Sequence, residues 1–172
     1  MSTNKKVLVA YASKYGATTE IAERVGRVLE QAGLDVDVLP AGYVAELERY
    51  HAVVLGSGVY AGHWLKAAAD LLTSNEAALA RRPVWLFSSG PTGEGDPVHI
   101  LDGWHLPDNL QPIADRIKPQ DVVVFHGKID PGALQLGDKL VIKAVKAKTG
   151  DFRDWSAIEA WAARIAERLT TP

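Results

Sequence analysis

Short, Val-rich apolar runs alternate with segments of helical period along most of this chain, and that alternation leaves few architectures open. The runs are KKVLVAYA (5–12), DVDVLP (35–40), HAVVLGSG (51–58), PVWLFSS (83–89) and DVVVFHG (121–127). Four of the five are nearly continuous hydrophobic stretches. That is the pattern of strands covered on both faces, as in a parallel sheet between two helical layers. Between the first two runs, TTEIAERVGRVLEQAG sets Ile21, Val25, Val28 and Leu29 at helical spacing and stops at Gly33. Residues 64–80, 108–118 and 154–169 supply further helices, the last with Asp154 or Ser156 available as its cap. The expectation is an α/β fold: a doubly wound, five-stranded parallel sheet of order 2-1-3-4-5 with helices on both faces.

Length and composition narrow the function classes. With 172 residues and no linker-like or repeated segment, residues 1–172 read as a single domain. A chain of this size buries roughly two-thirds of its unfolded surface, so its core needs neither disulfides nor a structural metal. The absence of Cys excludes thiol nucleophiles, disulfide exchange and thiolate metal ligation, and fits a reducing compartment. Lys plus Arg number 19 against 21 Asp plus Glu, a balance that gives no support to nucleic-acid binding. The start, MSTNKKVLVAYAS, is too short in apolar run for a signal peptide or membrane span, so the expected location is cytoplasmic.

In a doubly wound sheet, ligands bind beyond the carboxyl ends of the strands where the strand order reverses, here after strands one, three and four. The loop after strand one offers Ser13, Lys14, Tyr15, Gly16, Ala17 and Thr18, with hydroxyls and the unpaired N–H groups of a helix start, which suit a phosphate. Thr18 could equally be only the helix cap. The loop after strand three runs Gly58, Val59, Tyr60, Ala61, Gly62, His63, Trp64, placing two aromatic rings and an imidazole beside a flexible turn, features that suit a flat ligand. Trp64 has a second reading, as a core residue opening the next helix. The fourth loop, Ser88, Ser89, Gly90, Pro91, Thr92, Gly93, has small residues that let backbone N–H groups approach a ligand.

Several chemistries are missing from these positions. There is no Walker loop, no GxSxG elbow and no HxxxH or HExxH metal spacing. Gly56, Gly58 and Ala61 match GxGxxA formally, but after the third strand instead of the first. The ends of strands one and three lack the acidic residues of a phosphoryl receiver. With no metal site, no catalytic residue and no acid–base pair in the crevice, the reactive group is expected to be a cofactor.

On these residues the chain resembles the flavodoxin-like flavoproteins over nearly its whole length. SKYGATTE is similar to their phosphate motif T-x-T-G-N-T, with Ser13, Gly16 and Thr18 in the matching places and Tyr15 and Ala17 departing from it. Within that superfamily, VVLGSGVYAGHW and AKTGDFRDWSAIEAWAARIAERL are more similar to the menaquinone-dependent protoporphyrinogen dehydrogenase branch than to small carrier flavodoxins, through Gly62-His63 and Asp154-Trp155. The resemblance implies FMN, its phosphate on the first loop and its ring between the third and fourth, with Tyr60 and Trp64 as flanking groups. It further implies an oxidoreductase taking electrons from a reduced donor such as a tetrapyrrole precursor and delivering them to a quinone or protein acceptor. A flavodoxin-type carrier served by a reductase protein, a deazaflavin enzyme and a non-catalytic binding module are the alternatives. Glu94, Asp96 and Asp102 do not form the strongly acidic docking face of a carrier, since Lys14, Lys66 and His63 belong to the other loops.

One segment exceeds a minimal domain of this kind. Over 136–148, Leu136, Leu140, Val141, Ala144 and Val145 share a helical face flanked by Lys139, Lys143, Lys146 and Lys148. Either this helix packs on its own domain with solvated lysines, or it makes a peripheral membrane contact. A homodimer is also compatible with the sequence.

Overall fold

The computed structural model describes residues 5–172. Five strands, β1 (Lys6–Ala12), β2 (Asp35–Pro40), β3 (Ala52–Tyr60), β4 (Val84–Ser89) and β5 (Asp121–Phe125), pair in parallel in the order β2-β1-β3-β4-β5. The sheet has a sixth member that the sequence reading did not include. His63–Trp64 folds back antiparallel on Val59 and Tyr60, so β3 runs two residues beyond its expected end and Trp64 belongs to a strand instead of opening a helix.

Among the described residues the α-helices are α1 (Ala17–Gln31), α2 (Lys66–Ser74), α3 (Glu76–Ala80), α4 (Pro97–Ile100), α5 (Gln111–Ile117), α6 (Leu136–Ala144) and α7 (Trp155–Thr170), of which α4 and α6 bury no residue. The single helix expected over 64–80 is two, because Asn75 leaves helical geometry at φ −122° and ψ 25° and its side-chain amide donates back to the Leu71 carbonyl. Of the two candidates for the α7 cap, Asp154 holds the position and accepts the Ala157 N–H at 3.1 Å.

Alternation along each strand sends successive side chains to opposite faces. Leu8, Ala10, Val53, Leu55, Val84 and Leu86 pack on one side with α2, α3 and α5, while Val7, Val9, Ala52, Val54, Trp85 and Phe87 pack on the other with α1 and α7. On the second side Phe87, Phe125 and Trp161 form a ring cluster with centroids 5.4–5.9 Å apart. Gly56 makes that cluster possible: a Cβ there would lie 2.1 Å from the Phe87 ring. The glycine that starts the formal GxGxxA match thus has a packing role. After β5 a two-stranded ribbon, Lys128–Ile129 with Gly150–Asp151, brackets the insertion that carries α6.

Candidate functional site

The loops after β1, β3 and β4 meet at the carboxyl edge of the sheet. The β1 loop enters α1 through Gly16, whose φ of 92° lies in the left-handed region that glycine tolerates. Ser13 fixes the turn by accepting the Gly16 N–H at 3.0 Å. No side chain caps α1, and its backbone bonding begins with the Glu20 N–H donating to the Gly16 carbonyl. The N–H groups of Ala17, Thr18 and Thr19 therefore lack intrahelical acceptors, and the helix dipole adds partial positive charge there. The capping reading of Thr18 fails, since it lies inside the first turn, buried at 3% exposure. Among the described residues its hydroxyl has no hydrogen-bond partner.

Gly58 ties this loop to the next. A Cβ at that position would stand 3.0 Å from the Tyr60 ring and 3.2 Å from the Thr18 hydroxyl, so glycine is what lets these groups share the space. Beyond Tyr60, Ala61 and Gly62 both have positive φ, 51° and 78°, and make a two-residue hairpin turn to His63. Ala61, Gly62 and His63 stand exposed at its tip. The fully buried Ser57 hydroxyl, which sequence reasoning passed over, fixes both ends by donating to the Gly58 carbonyl and accepting the Leu65 N–H. Burial raises the Tyr60 phenol pKa, partly opposed by Lys14, whose Nζ lies 5.6 Å from the ring centroid.

The β4 loop differs from the sequence reading. Trp64 is buried in the core, and its indole N–H donates to the Ser88 hydroxyl at 2.9 Å, so in this structure it does not flank the crevice. Ser88 in turn donates to the His105 carbonyl, and Ser88 and Ser89 are buried strand residues. The accessible loop begins at Gly90. Its N–H donates to the Phe125 carbonyl, and the Gly127 N–H donates to Pro91. The buried His126 faces the Pro91 and Gly95 carbonyls with its two ring nitrogens, at 3.1 and 2.5 Å. Both partners are acceptors, and a neutral imidazole can donate to only one of them. Thr92 is half-buried and Gly93 buried, the latter facing the Lys148 stem.

Between the β3 and β4 loops lies a cleft of about 270 Å³ lined by Val59, Gly62, Gly90, Pro91, Leu101 and Trp104. Its aromatic wall is Trp104, not Trp64. Nothing in a local motif announces Trp104; the available signal is an aromatic residue in a Gly- and Asp-rich connection directly following a binding-loop candidate.

Two further residues brace the β1 loop, and neither carries a sequence signal. Asp138 of α6 accepts the Tyr15 hydroxyl and pairs with Lys14 Nζ at 2.5 Å. The bond to Lys14, then that to Tyr15, holds the Asp138 carboxyl below the usual carboxylate range, and the Lys14 pKa rises in return. Arg153, with a nearly buried side chain, pairs with Asp151 and Glu20, donates to the Ala17 carbonyl and stacks on Trp155 with 4.7 Å between guanidinium and ring centroid.

The family model for the flavodoxin domain matches residues 8–156. The chain belongs to the flavodoxin family. Membership implies a flavin cofactor and a redox role, and this flavodoxin-family chain has places for both parts of such a group: an uncapped helix start for an anion, and an apolar, partly aromatic cleft for a ring. It is 21% identical to the protoporphyrinogen IX dehydrogenase [quinone] of Escherichia coli K12, over 97% of this chain and 98% of that one. Its fold is that of an archaeal flavodoxin at TM-score 0.62 and 16% identity, covering 96% and 99% of the two chains. It also superposes on the Flv1 flavodiiron core of Synechocystis at TM-score 0.61 and 16% identity, over 98% of this chain and 37% of that one.

Proposed function

We propose that this chain binds FMN and acts as an oxidoreductase of the protoporphyrinogen dehydrogenase type, taking electrons from a reduced tetrapyrrole precursor or similar donor and passing them to a quinone. The observation that carries the reading is the joining, through Gly58, of the helix start at Ser13–Thr18 to the loop that walls the cleft at Val59 and Gly62. FMN supplies electron transfer when bound; the chain supplies its orientation. Ser13 shapes the β1 turn, the N–H groups of Ala17, Thr18 and Thr19 and the Thr18 hydroxyl hold the phosphate, and Val59, Gly90, Pro91, Leu101 and Trp104 exclude water from the ring. Tyr60 stands at the junction of the two parts. The 21% match along nearly the full chain supports the dehydrogenase reading; the flavodoxins that share the fold support a carrier equally. A cytoplasmic location is part of the same proposal and fits the absence of Cys.

The first test is the absorption spectrum of the purified protein, with mass analysis of what denaturation releases. A flavin spectrum and FMN are expected, while a deazaflavin or no chromophore overturns the cofactor assignment. Calorimetry should then show FMN binding more tightly than riboflavin. In stopped flow, the reduced tetrapyrrole should bleach the bound flavin and a menaquinone analogue should restore its colour. Reduction only by a ferredoxin- or flavodoxin-type reductase would identify a carrier instead.

A further inference from the structure

The loop that leaves β4 is firmly held at its first residues only. Gly90 lies so close to Gly127 that a Cβ on Gly127 would stand 3.0 Å from the Gly90 backbone, and the Gly127 N–H donates to the Pro91 carbonyl at 2.9 Å. Beyond Pro91 the chain turns through Gly93 and Gly95, whose φ of 116° and 101° lie in the left-handed region. Among the described residues, a single hydrogen bond reaches residues 92–95, the one between the His126 ring and the Gly95 carbonyl. Asp96 then caps α4 by accepting the Val98 N–H at 2.8 Å, and the connection runs on to Leu101 and Trp104 on the cleft wall. His126 is buried at 8% exposure, and the flavin reading gives it no other task.

The ring meets two carbonyl oxygens at once, with Nδ1 3.1 Å from Pro91 and Nε2 2.5 Å from Gly95. Carbonyls only accept, and a neutral imidazole carries one N–H, so in that form one of the two oxygens faces a ring lone pair. An imidazolium donates to both. Two charge-assisted bonds also offset the cost of burying the charge. The charged groups on the surrounding elements are Glu94 and Asp96 of the loop, His99 of α4, Lys128 and Asp151 of the ribbon, and Lys148, whose stem lies beside Gly93. Among the described residues none of them bonds to His126. We infer that His126 is a positioning residue that latches the β4 loop when protonated and releases one of its carbonyls when neutral. The cleft wall at Gly90 and Pro91 and the path to Trp104 are then set by pH. Because the protonated form is the latched one, ring affinity is highest on the acid side and falls as pH rises through the range where histidines lose their proton. Reciprocally, ring binding draws a proton onto the chain. That the latched loop closes on a flavin rests on the function proposed above; the latch itself does not.

Two measurements on the full chain separate the latch from the flavin. Without flavin, the backbone amide order parameters of Gly93 and Gly95 should fall from the rigid value of about 0.85 to below about 0.6 between pH 5.5 and pH 7.5. With riboflavin, which has no phosphate to titrate, calorimetry should show affinity falling roughly fivefold over the same interval, the scale of one hydrogen bond. Near neutral pH the binding heat should depend on the ionisation enthalpy of the buffer, the mark of proton uptake. The side-chain amide of His126→Gln donates at any pH, so this variant should keep the loop ordered and flatten both profiles. His126→Leu donates to neither carbonyl and should leave the loop mobile throughout. Wild-type order parameters that do not change with pH, or a pH response that His126→Gln retains, would overturn the latch, and the wild-type titration decides even where a variant fails to fold. A loop that responds to pH without any change in riboflavin affinity would overturn its coupling to the ring. A responsive loop in a chain that binds no flavin would support the latch and overturn the flavin reading, so the two failures are distinguishable.

Discussion

Lys14 of the β1 loop and Asp138 of α6 stand 2.5 Å apart, and the same carboxylate accepts the Tyr15 hydroxyl. A negative charge from the inserted helix is thus fastened to the loop proposed to take the FMN phosphate. Asp138→Asn should free the Lys14 charge for the phosphate and tighten FMN by about two- to fivefold, the scale of an exposed ion pair. Lys14→Gln leaves the carboxylate facing the phosphate and should weaken FMN by a similar factor. Riboflavin, which has no phosphate, should respond to neither. Calorimetric titration of both ligands checks this, and equal effects on the two would show that the pair only shapes the loop.

The two tryptophans of the site should separate. Trp64 is a core residue bonded to Ser88, so Trp64→Ala should lower stability by about 3–5 kcal/mol, whatever its effect on flavin. Trp104 lines the cleft, so Trp104→Ala should leave the urea midpoint nearly unchanged and weaken flavin by about two- to tenfold. Urea unfolding and flavin titration of both variants would expose an inverted assignment.

How much of this was legible in the sequence divides along the range of the contacts. The strand order followed from five Val-rich runs and their spacing, because a buried parallel strand must be apolar on both faces. The meeting of the loops at one edge of the sheet followed from topology, since Ser13–Thr18 and Gly58–Gly62 are local strings at strand ends. Trp64 was misplaced because periodicity cannot tell the start of a helix from a two-residue return strand; the positive φ of Ala61 and Gly62, which creates that strand, is not written in an Ala-Gly pair. Trp104, Asp138 and Arg153 were invisible for another reason. Each reaches the site from a long connection whose path is set by tertiary packing, with no period or motif to report it.

Gly56 offers a test of packing independent of any ligand. The Phe87 ring occupies the place of its missing Cβ, and that ring is wedged against Phe125 and Trp161. Gly56→Ala should cost at least the upper end of the roughly 1–3 kcal/mol typical of overpacked cores. Adding Phe87→Leu should recover part of the loss, a coupling that a double-mutant cycle measures by urea unfolding. Strict additivity would mean that the ring does not set the requirement for glycine.

Stability should also fall in alkali through a residue remote from the cleft. The buried Tyr50 hydroxyl donates to Asp37 Oδ2 at 2.7 Å, and Lys6 Nζ lies 3.3 Å from the same carboxylate oxygen. Burial first, then the bond to Asp37, pushes the Tyr50 pKa from 10.0 up to about 12. Asp37 is held below its ordinary value, chiefly by Tyr50 and then by Lys6, against the opposing effect of burial. A pKa raised by folding gives stability that is complete below the unfolded value and is lost on the way up to the folded one. The Tyr50 contribution should therefore hold to pH 10 and disappear between pH 10 and about 12, a loss of at most about 3 kcal/mol. For Asp37 the sign reverses, and its contribution is present at neutral pH and lost on acidification below the usual carboxylate range. Other groups titrate in alkali as well, so the measurement is the difference between the wild-type chain and Tyr50→Phe in urea midpoints across that window. The gap between them should be widest at neutral pH and close as Tyr50 ionises. A gap that stays constant to pH 12 would mean that ionisation of Tyr50 costs the folded state nothing.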